Sequence, residues 1–149
     1  MAVKLVPKFD KAQIKRALLE RQKRIKAALI LNLTRVGEQF VTNVRNNADF
    51  TDRTGNLRSS AAYVIIDNGV QLAENFKATS NGPEGIANAK KVIDEAKANF
   101  PTGLVLIGVA GMDYAAAVES KGFDVITSSA GIAETSLKAA LARLANKLK

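Results

Sequence analysis

The chain of 149 residues is long enough for one domain with a substantial hydrophobic core, and short for two. It has no cysteine and no histidine, which excludes disulfides, thiolate metal ligands, a cysteine nucleophile and the commonest general base. The formal net charge of +8 resides in residues 1–46, which carry 11 Lys or Arg and 3 Asp or Glu. This asymmetry indicates an acidic protein surface or a polyanion as a partner.

Residues 1–9 are predicted to form an arm, because Pro7 interrupts regular structure, and residues 10–149 to form a single domain. Asp10 is a suitable N-cap for a helix from Lys11 to about Asn46. Along it an apolar pair four residues apart recurs every 11 residues, which keeps one narrow stripe on one side. The stripe consists of Ile14, Leu18, Ile25, Leu29, Val36 and Phe40. At roughly 55 Å, this helix is expected to overhang its own core or to pack on a neighbouring subunit.

The first half of this helix is strongly basic, and its charges surround the helix rather than lining one side. The basic residues are Lys11, Lys15, Arg16, Arg21, Lys23, Arg24 and Lys26. Three interpretations are open: a solvated face, a phosphate-binding surface, or a docking face for an acidic protein ring. No aromatic residue lies among them, which argues against base stacking by this segment.

The middle of the chain contains the elements of a small antiparallel sheet. Residues 61–66 are rich in β-formers, and Asn68-Gly69 predicts a type I′ turn into a strand from Val70 to about Lys77. A helix over residues 83–100, with Pro83 in its first turn, is followed by a buried strand over 104–109. Residues 123–127 alternate in the manner of a strand, and Ser128 or Ser129 is expected to cap the last helix.

The predicted fold class is therefore α+β. It comprises a long N-terminal helix, a small antiparallel β-sheet with a β-hairpin, one inserted helix and a C-terminal helix.

Two short motifs, about 60 residues apart, carry a resemblance to a known family. Residues 54–60 read T-G-N-L-R-S-S, and residues 114–122 contain Tyr114-Ala115, Val118-Glu119 and Gly122. They resemble the T-G-x-L-R-x-S and Y-A-x-x-V-E-x-G elements of phage minor tail and neck proteins. These are the tail-completion or head–tail joining proteins of long-tailed bacteriophages. The resemblance covers about residues 10–145 and includes the order of the helices and strands.

The resemblance implies a structural virion protein, assembled in the host cytoplasm, that forms a homo-oligomeric ring at the head–tail junction. Ring closure suggests six- or twelve-fold symmetry. The neighbours would be the connector or portal adaptor and the tail-tube or terminator proteins, and DNA would pass through the lumen without sequence-specific contact.

The residues that match the motifs form the predicted assembly site: Thr54, Gly55, Leu57, Arg58, Tyr114 and Glu119. We hypothesise that Arg58 and Glu119 hold the first motif's loop against the sheet, within or between subunits. Tyr114 is expected to pack in the core with its hydroxyl at the edge.

Two other function classes bear on this sequence. A basic nucleic-acid-binding protein would use residues 11–26 on phosphates, and its binding would fall steeply with salt. An enzyme is disfavoured, because the carboxylate pairs Asp49/Asp52 and Asp94/Glu95 accompany no second cluster, phosphate-binding loop or nucleophile motif. We expect no cofactor and no metal.

The sequence also predicts no contact with a membrane. The N-terminus has no apolar signal-peptide core, and apolar runs such as residues 27–31 are far too short to span a bilayer. We therefore expect a soluble protein that is not exported by a signal peptide.

Overall fold

The computed structural model describes residues 1–4, 6–46, 51–78 and 82–148. The helices are α1 Lys11–Asn46, α2 Asn56–Ser59, α3 Pro83–Lys97, α4 Ala115–Ser120 and α5 Thr127–Leu148. The strands are β1 Ala61–Asp67, β2 Val70–Asn75 and β3 Leu104–Ala110, in the sheet order β2-β1-β3 with both pairs antiparallel. The predicted α+β class is confirmed. The predictions for Asp49 and for residues 79–81 lie outside the described residues.

Strand β1 forms the centre of the core, because helices cover both faces of the sheet. Tyr63 and Ile65 pack against α1 and α5, whereas Val64 and Ile66 pack against α3. Every residue from 61 to 66 is consequently buried. A strand covered on both faces is apolar throughout, which explains the unbroken run of apolar residues here.

The hairpin between β1 and β2 has the predicted type I′ turn. Asn68 and Gly69 have φ angles of 49° and 80°, the positive values that this turn requires at both central positions. Asn68 also joins the hairpin to the loop before β3: its N–H donates to the Gly103 carbonyl, and its Oδ1 accepts from the Gly103 N–H, each at 2.9 Å. The neighbouring elements end earlier than predicted, β2 at Asn75 and α3 at Lys97.

Helix α1 has the predicted length, and its Asp10 cap is confirmed by an Ala12 N–H donating to Asp10 Oδ1 at 3.3 Å. Helix α5 packs along α1 and ends beside Arg21, whose guanidinium donates to the Leu148 carbonyl at 2.8 Å. Residues 11–20, about 15 Å of helix, extend beyond that contact, and all of them are exposed. We call residues 11–20 the projecting segment of α1.

The apolar stripe of α1 changes its surroundings along the helix. Ile14 and Leu18 in the projecting segment are 40% and 62% exposed. Ile25 is half-buried, whereas Val36 and Phe40 are buried in the core. The stripe therefore packs in the chain's own core at its C-terminal end and faces solvent at its N-terminal end.

The strand predicted over residues 123–127 is wrong, because these residues lead into α5, which begins at Thr127. Their alternation reflects packing: Val125 is buried against Leu57 and Met112. The backbone N–H groups of residues 125–127 donate to the Glu119 carboxylate, so they are not available for strand pairing. The predicted serine cap is also wrong, since side-chain carboxylates accept these first N–H groups.

Candidate functional site

The first motif forms a tight turn followed by the single-turn helix α2. Gly55 has a φ of 72°, a left-handed conformation that glycine adopts without strain. Thr54 Oγ1 accepts from the Asn56 N–H at 3.3 Å, so its hydroxyl pairs with the first backbone donor of α2. Asp52 Oδ2 accepts from the Arg58 N–H at 2.9 Å. Asp52, one of the carboxylates considered above for an enzyme, therefore fixes the backbone of this turn.

Helix α2 packs directly against the start of α3. The buried Asn56 donates from Nδ2 to Glu84 Oε2 at 3.0 Å, and its Oδ1 accepts from the Gly85 N–H at 3.4 Å. A Cβ atom on Gly85 would overlap the Asn56 carbonyl, and one on Gly82 would lie 2.5 Å from the Gly55 carbonyl oxygen. Two glycines thus allow backbone-to-backbone contact. Asn56 is the residue that sequence reasoning missed, because the motif leaves its position variable.

The second motif packs against the first at the end of the sheet. The Gly111 N–H donates to the Ser60 carbonyl at 3.2 Å, which joins the residue after β3 to the residue before β1. Leu57 is buried against Met112, and Val118 of α4 covers the same cluster. The two motifs, distant in sequence, therefore form one packed unit, which we call the motif junction.

Tyr114 lies on the surface of the motif junction, and its predicted core position is wrong. Its side chain is 41% exposed, because Leu57 and Met112 fill the buried space at this end. Its ring lines a cleft of about 230 Å³ beside the first motif, together with Thr54. Partial burial, followed by the nearby charge of Asp52, raises the pKa of the phenol. Tyr114 therefore borders the cleft between the two motifs at the surface.

Glu119 holds the start of α5. Its Oε1 accepts from the backbone N–H groups of Val125, Ile126 and Thr127 at 3.3, 2.8 and 2.9 Å, and from the Thr127 hydroxyl at 3.0 Å. These hydrogen bonds, that from the Ile126 N–H foremost, lower the pKa of the Glu119 carboxyl. A negative charge at a helix N-terminus is also favoured by the helix dipole. Within one chain Glu119 therefore holds the start of α5 and not the first motif's loop. A contact of Glu119 between subunits, and either contact of the half-buried Arg58, stays a hypothesis.

The predicted basic surface is exposed along its whole length. All seven residues, Lys11, Lys15, Arg16, Arg21, Lys23, Arg24 and Lys26, are exposed. Lys26 pairs with Asp67, Lys23 lies 3.6 Å from Glu20, and Arg21 bonds the Leu148 carbonyl. The remaining four form no ion pair or hydrogen bond within the part of the chain that the structure describes. Three of those four lie on the projecting segment.

A polar cluster that the sequence did not reveal ties α1 to the hairpin. Glu38 accepts from the Tyr63 hydroxyl at 2.9 Å, and the Arg45 guanidinium donates to the carbonyls of Ala61 and Lys77 at 2.9 and 2.8 Å. Burial raises the pKa of Tyr63 and lowers that of Arg45. The sequence feature that could have revealed this cluster is the pair Glu38 and Arg45, two charges seven residues apart in the apolar half of α1. These hydrogen bonds join α1 to β1 and to the chain after β2, so we assign the cluster a structural role.

A second candidate surface is an apolar groove beside the free edge of β3. The groove has a volume of about 440 Å³, and one charged residue, Glu134, is among the described residues that line it. Its apolar walls come from α1, α5 and β3: Leu33, Val36, Phe40, Leu104, Leu106 and Leu137. Gly108 lets the Phe40 ring approach β3, since a Cβ there would lie 2.7 Å from the ring. We call this feature the β3 groove.

Comparisons with protein-family models, with curated proteins and with solved structures find no match to this chain. Within residues 1–4, 6–46, 51–78 and 82–148, no helix is both long and apolar enough to cross a membrane. Over the same ranges, no three acidic side chains cluster as a metal site requires. Three surfaces of the described residues could accept a macromolecular partner: the projecting segment, the motif junction and the β3 groove.

Proposed function

We propose that this chain is a structural virion protein of a tailed bacteriophage. In this proposal it forms a ring at the head–tail junction and joins the capsid connector to the tail. It acts by assembling and by matching surfaces, without catalytic turnover. It is assembled in the host cytoplasm, and its neighbours are the connector or portal adaptor on one side and tail-tube or terminator proteins on the other.

The projecting segment of α1 is the observation that carries the proposal. Ile14, Leu18 and Leu19 are 40%, 62% and 47% exposed, on ten residues of helix that contact none of the chain's own core. A lone helix of this length is marginally stable in water, because most helical stability comes from packing of an apolar face. A neighbouring subunit would supply that packing. A head-to-tail contact of this kind closes into a ring when the rotation between successive copies permits.

The positive charge of the same segment suits a protein partner better than the DNA in the lumen. Lys11, Lys15 and Arg16 form no ion pair among the described residues and surround the helix together with the exposed apolar side chains. A strongly cationic lumen would retain DNA during ejection, whereas an acidic ring would be attracted and oriented by these charges. We therefore assign the basic surface to contact with an adjacent ring.

The motif junction supports the proposal from the other end of the molecule. The two motifs that resemble the phage neck proteins pack together through Leu57 and Val118, and Thr54 and Tyr114 line one cleft between them. Tyr114 is held at the surface, where an aromatic ring with a polar tip suits a protein interface.

Loss of this chain from the phage that encodes it is expected to leave DNA-filled heads and finished tails unjoined. Electron microscopy of lysates from a nonsense mutant measures this, with a plasmid copy of the gene supplied for rescue. A Leu18→Asp copy is expected to fail to rescue, because it places a charge on the exposed apolar stripe. A Gln13→Asp copy alters a polar position of the same segment and is expected to rescue. Joined, infectious particles from the nonsense mutant would contradict the proposal.

The alternative is a basic nucleic-acid-binding protein that uses residues 11–26 on phosphates. The exposed, uncompensated cations of the projecting segment favour it. The charges surround the helix, however, and no aromatic residue lies among them to stack on bases. Binding through phosphates alone would weaken steeply with added salt and show no sequence preference.

A further inference from the structure

We infer that the N-terminal arm of one copy adds as a strand to the free edge of β3 in a second copy, and that its apolar side chains fill the β3 groove there. The arm is residues 1–9, and the groove lies between β3, α1 and α5. The inference goes beyond the proposed function. It requires copies of the chain to associate, but not that the assembly lies between a head and a tail.

The arm has the pattern of a strand that is buried on one face. Apolar residues occupy every odd position of the arm, Met1, Val3, Leu5, Pro7 and Phe9, whereas the even positions are mixed: both lysines, Lys4 and Lys8, and the apolar Ala2 and Val6. In a β-strand the odd positions share one face, so an extended arm would have one wholly apolar face and one mixed face that carries both lysines. Val3 and Phe9 are 89% and 63% exposed in the isolated chain. Tails that stay solvated are polar, so an apolar arm indicates a surface on which it is buried.

Strand β3 provides an edge that requires a cover. Residues 104–110 contain no charge and no proline, and β1 is their one paired neighbour in the sheet. Natural sheets protect such edges with charges, prolines, bulges or a covering element. The opposite edge, β2, has such protection, because its register shifts at Ile65/Ile66 and it carries the exposed Gln71 and Glu74. The unprotected edge is therefore the one beside the apolar groove.

Pro7 determines how the arm pairs with β3. Backbone N–H and C=O groups of alternate residues in a strand point to the same side, and a proline is tolerated only where it points away from the partner. Residues 2, 4, 6 and 8 would then bond to β3. The odd-numbered side chains would lie on the face shared with Leu104, Leu106 and Gly108, over the groove. They would displace about fifteen waters, at ~30 Å³ each, from a largely apolar space.

The arm is too short to fill the groove of its own chain. Leu33, the first α1 residue that lines the groove, lies 22 positions after Lys11, which is about 33 Å along the helix. Nine fully extended residues span at most about 32 Å. A fully extended arm would only just reach the near end of its own groove, and no residues would remain to run along β3. A second copy is therefore the occupant that the geometry allows.

Cross-linking from position 9 tests the inference directly. Phe9 is replaced by benzoyl-phenylalanine, a photoreactive near-isostere, in an equimolar mixture of unlabelled and nitrogen-15-labelled full-length chains. Irradiation is expected to give mixed-isotope peptides that join position 9 to residues 104–108 or 126–137. Benzoyl-phenylalanine in place of Lys4, which lies on the opposite face of the arm, is expected to give no such cross-linked peptide. Cross-links confined to one chain, placed elsewhere on a second chain, or absent would overturn the inference.

A substitution measures how much the arm contributes to association. Phe9→Asp is expected to raise the dissociation constant between copies by ~10–100-fold, because it places a charge in the groove. Lys8→Asp, a neighbouring change on the other face, is expected to alter it less than threefold, or about 0.6 kcal/mol. Sedimentation velocity over a concentration series provides both values. Equal effects of the two substitutions, or a chain that stays monomeric throughout, would overturn the arm exchange. A Phe9→Asp chain that still joins heads to tails would leave the proposed function standing.

Discussion

Replacing Gly85 with alanine is expected to lower the free energy of unfolding by about 1–3 kcal/mol or more. A Cβ atom at this position overlaps the Asn56 carbonyl oxygen and lies 2.9 Å from the Ser60 backbone nitrogen. Both neighbours are backbone atoms, so no side-chain rotation can relieve the clash. Helix α3 must move away from α2, which also breaks the hydrogen bond from the Gly85 N–H to Asn56. Urea denaturation monitored by circular dichroism measures the change.

Gly131→Ala is the matched control for this prediction. Gly131 lies within α5, and a Cβ there has no atom within 4 Å. Alanine is expected to stabilise the protein by about 0.5–1 kcal/mol, because glycine loses more backbone entropy in a helix. The two substitutions are chemically identical and should differ in sign. A Gly85→Ala protein as stable as the wild type would contradict the close packing of α2 on α3.

Replacing Glu119 with alanine is expected to destabilise the protein by about 2 kcal/mol near neutral pH. The substitution removes the acceptor of three backbone N–H groups at the start of α5 and of the Thr127 hydroxyl. Glu134→Ala is the control on the same helix. Glu134 forms an exposed i,i+4 pair with Lys138, and its removal is expected to leave stability nearly unchanged because solvent screens the pair.

The contribution of Glu119 to the free energy of unfolding is expected to decrease as the pH is lowered. The folded state lowers the pKa of its carboxyl below the ordinary value of 4.5. The stabilisation is therefore complete above pH 4.5 and is lost as the pH falls below that value, through the pKa of the folded state. Stability curves of the wild type and Glu119→Ala should consequently converge in acid. A difference between the two proteins that stays constant from pH 7 to pH 3 would contradict the capping role of the ionised carboxylate.

Much of the fold is encoded locally, and the sequence predicts those parts. The Asn68-Gly69 pair specifies a type I′ turn because both residues tolerate positive φ. The stripe on α1 predicts a continuous helix, since its 11-residue period matches a straight α-helix. The prediction of a buried strand over 104–109 is wrong, because β3 lies at the edge of the sheet, and the strand covered on both faces is β1.

The parts that the sequence did not predict depend on contacts between distant residues. Residues 123–127 alternate as a strand does, but Glu119 takes the N–H groups of three of them and starts a helix. Tyr114 is excluded from the core because Met112 and Leu57 already fill it. Asn56 joins α2 to α3 through side-chain bonds to residues 84 and 85. No local pattern specifies any of these pairings.

The projecting segment joins the fold to the proposed function. Its stripe is continuous with the core stripe of α1, but its side chains are exposed. If the projecting segment is packed only in an assembly with other copies, each particle should contain a fixed number of copies of this chain. The arm exchange and the basic surface would then describe two different contacts, one between copies and one with the adjacent ring.

Quantitative mass spectrometry on purified phage particles tests the central claim most directly, by counting copies of this chain against the major capsid protein. The proposal predicts a small fixed number, on the order of six or twelve per particle, as ring closure requires. Absence of the chain from purified particles would contradict a role at the head–tail junction. Salt-dependent binding of nucleic acid by the basic residues of α1 would then become the leading account.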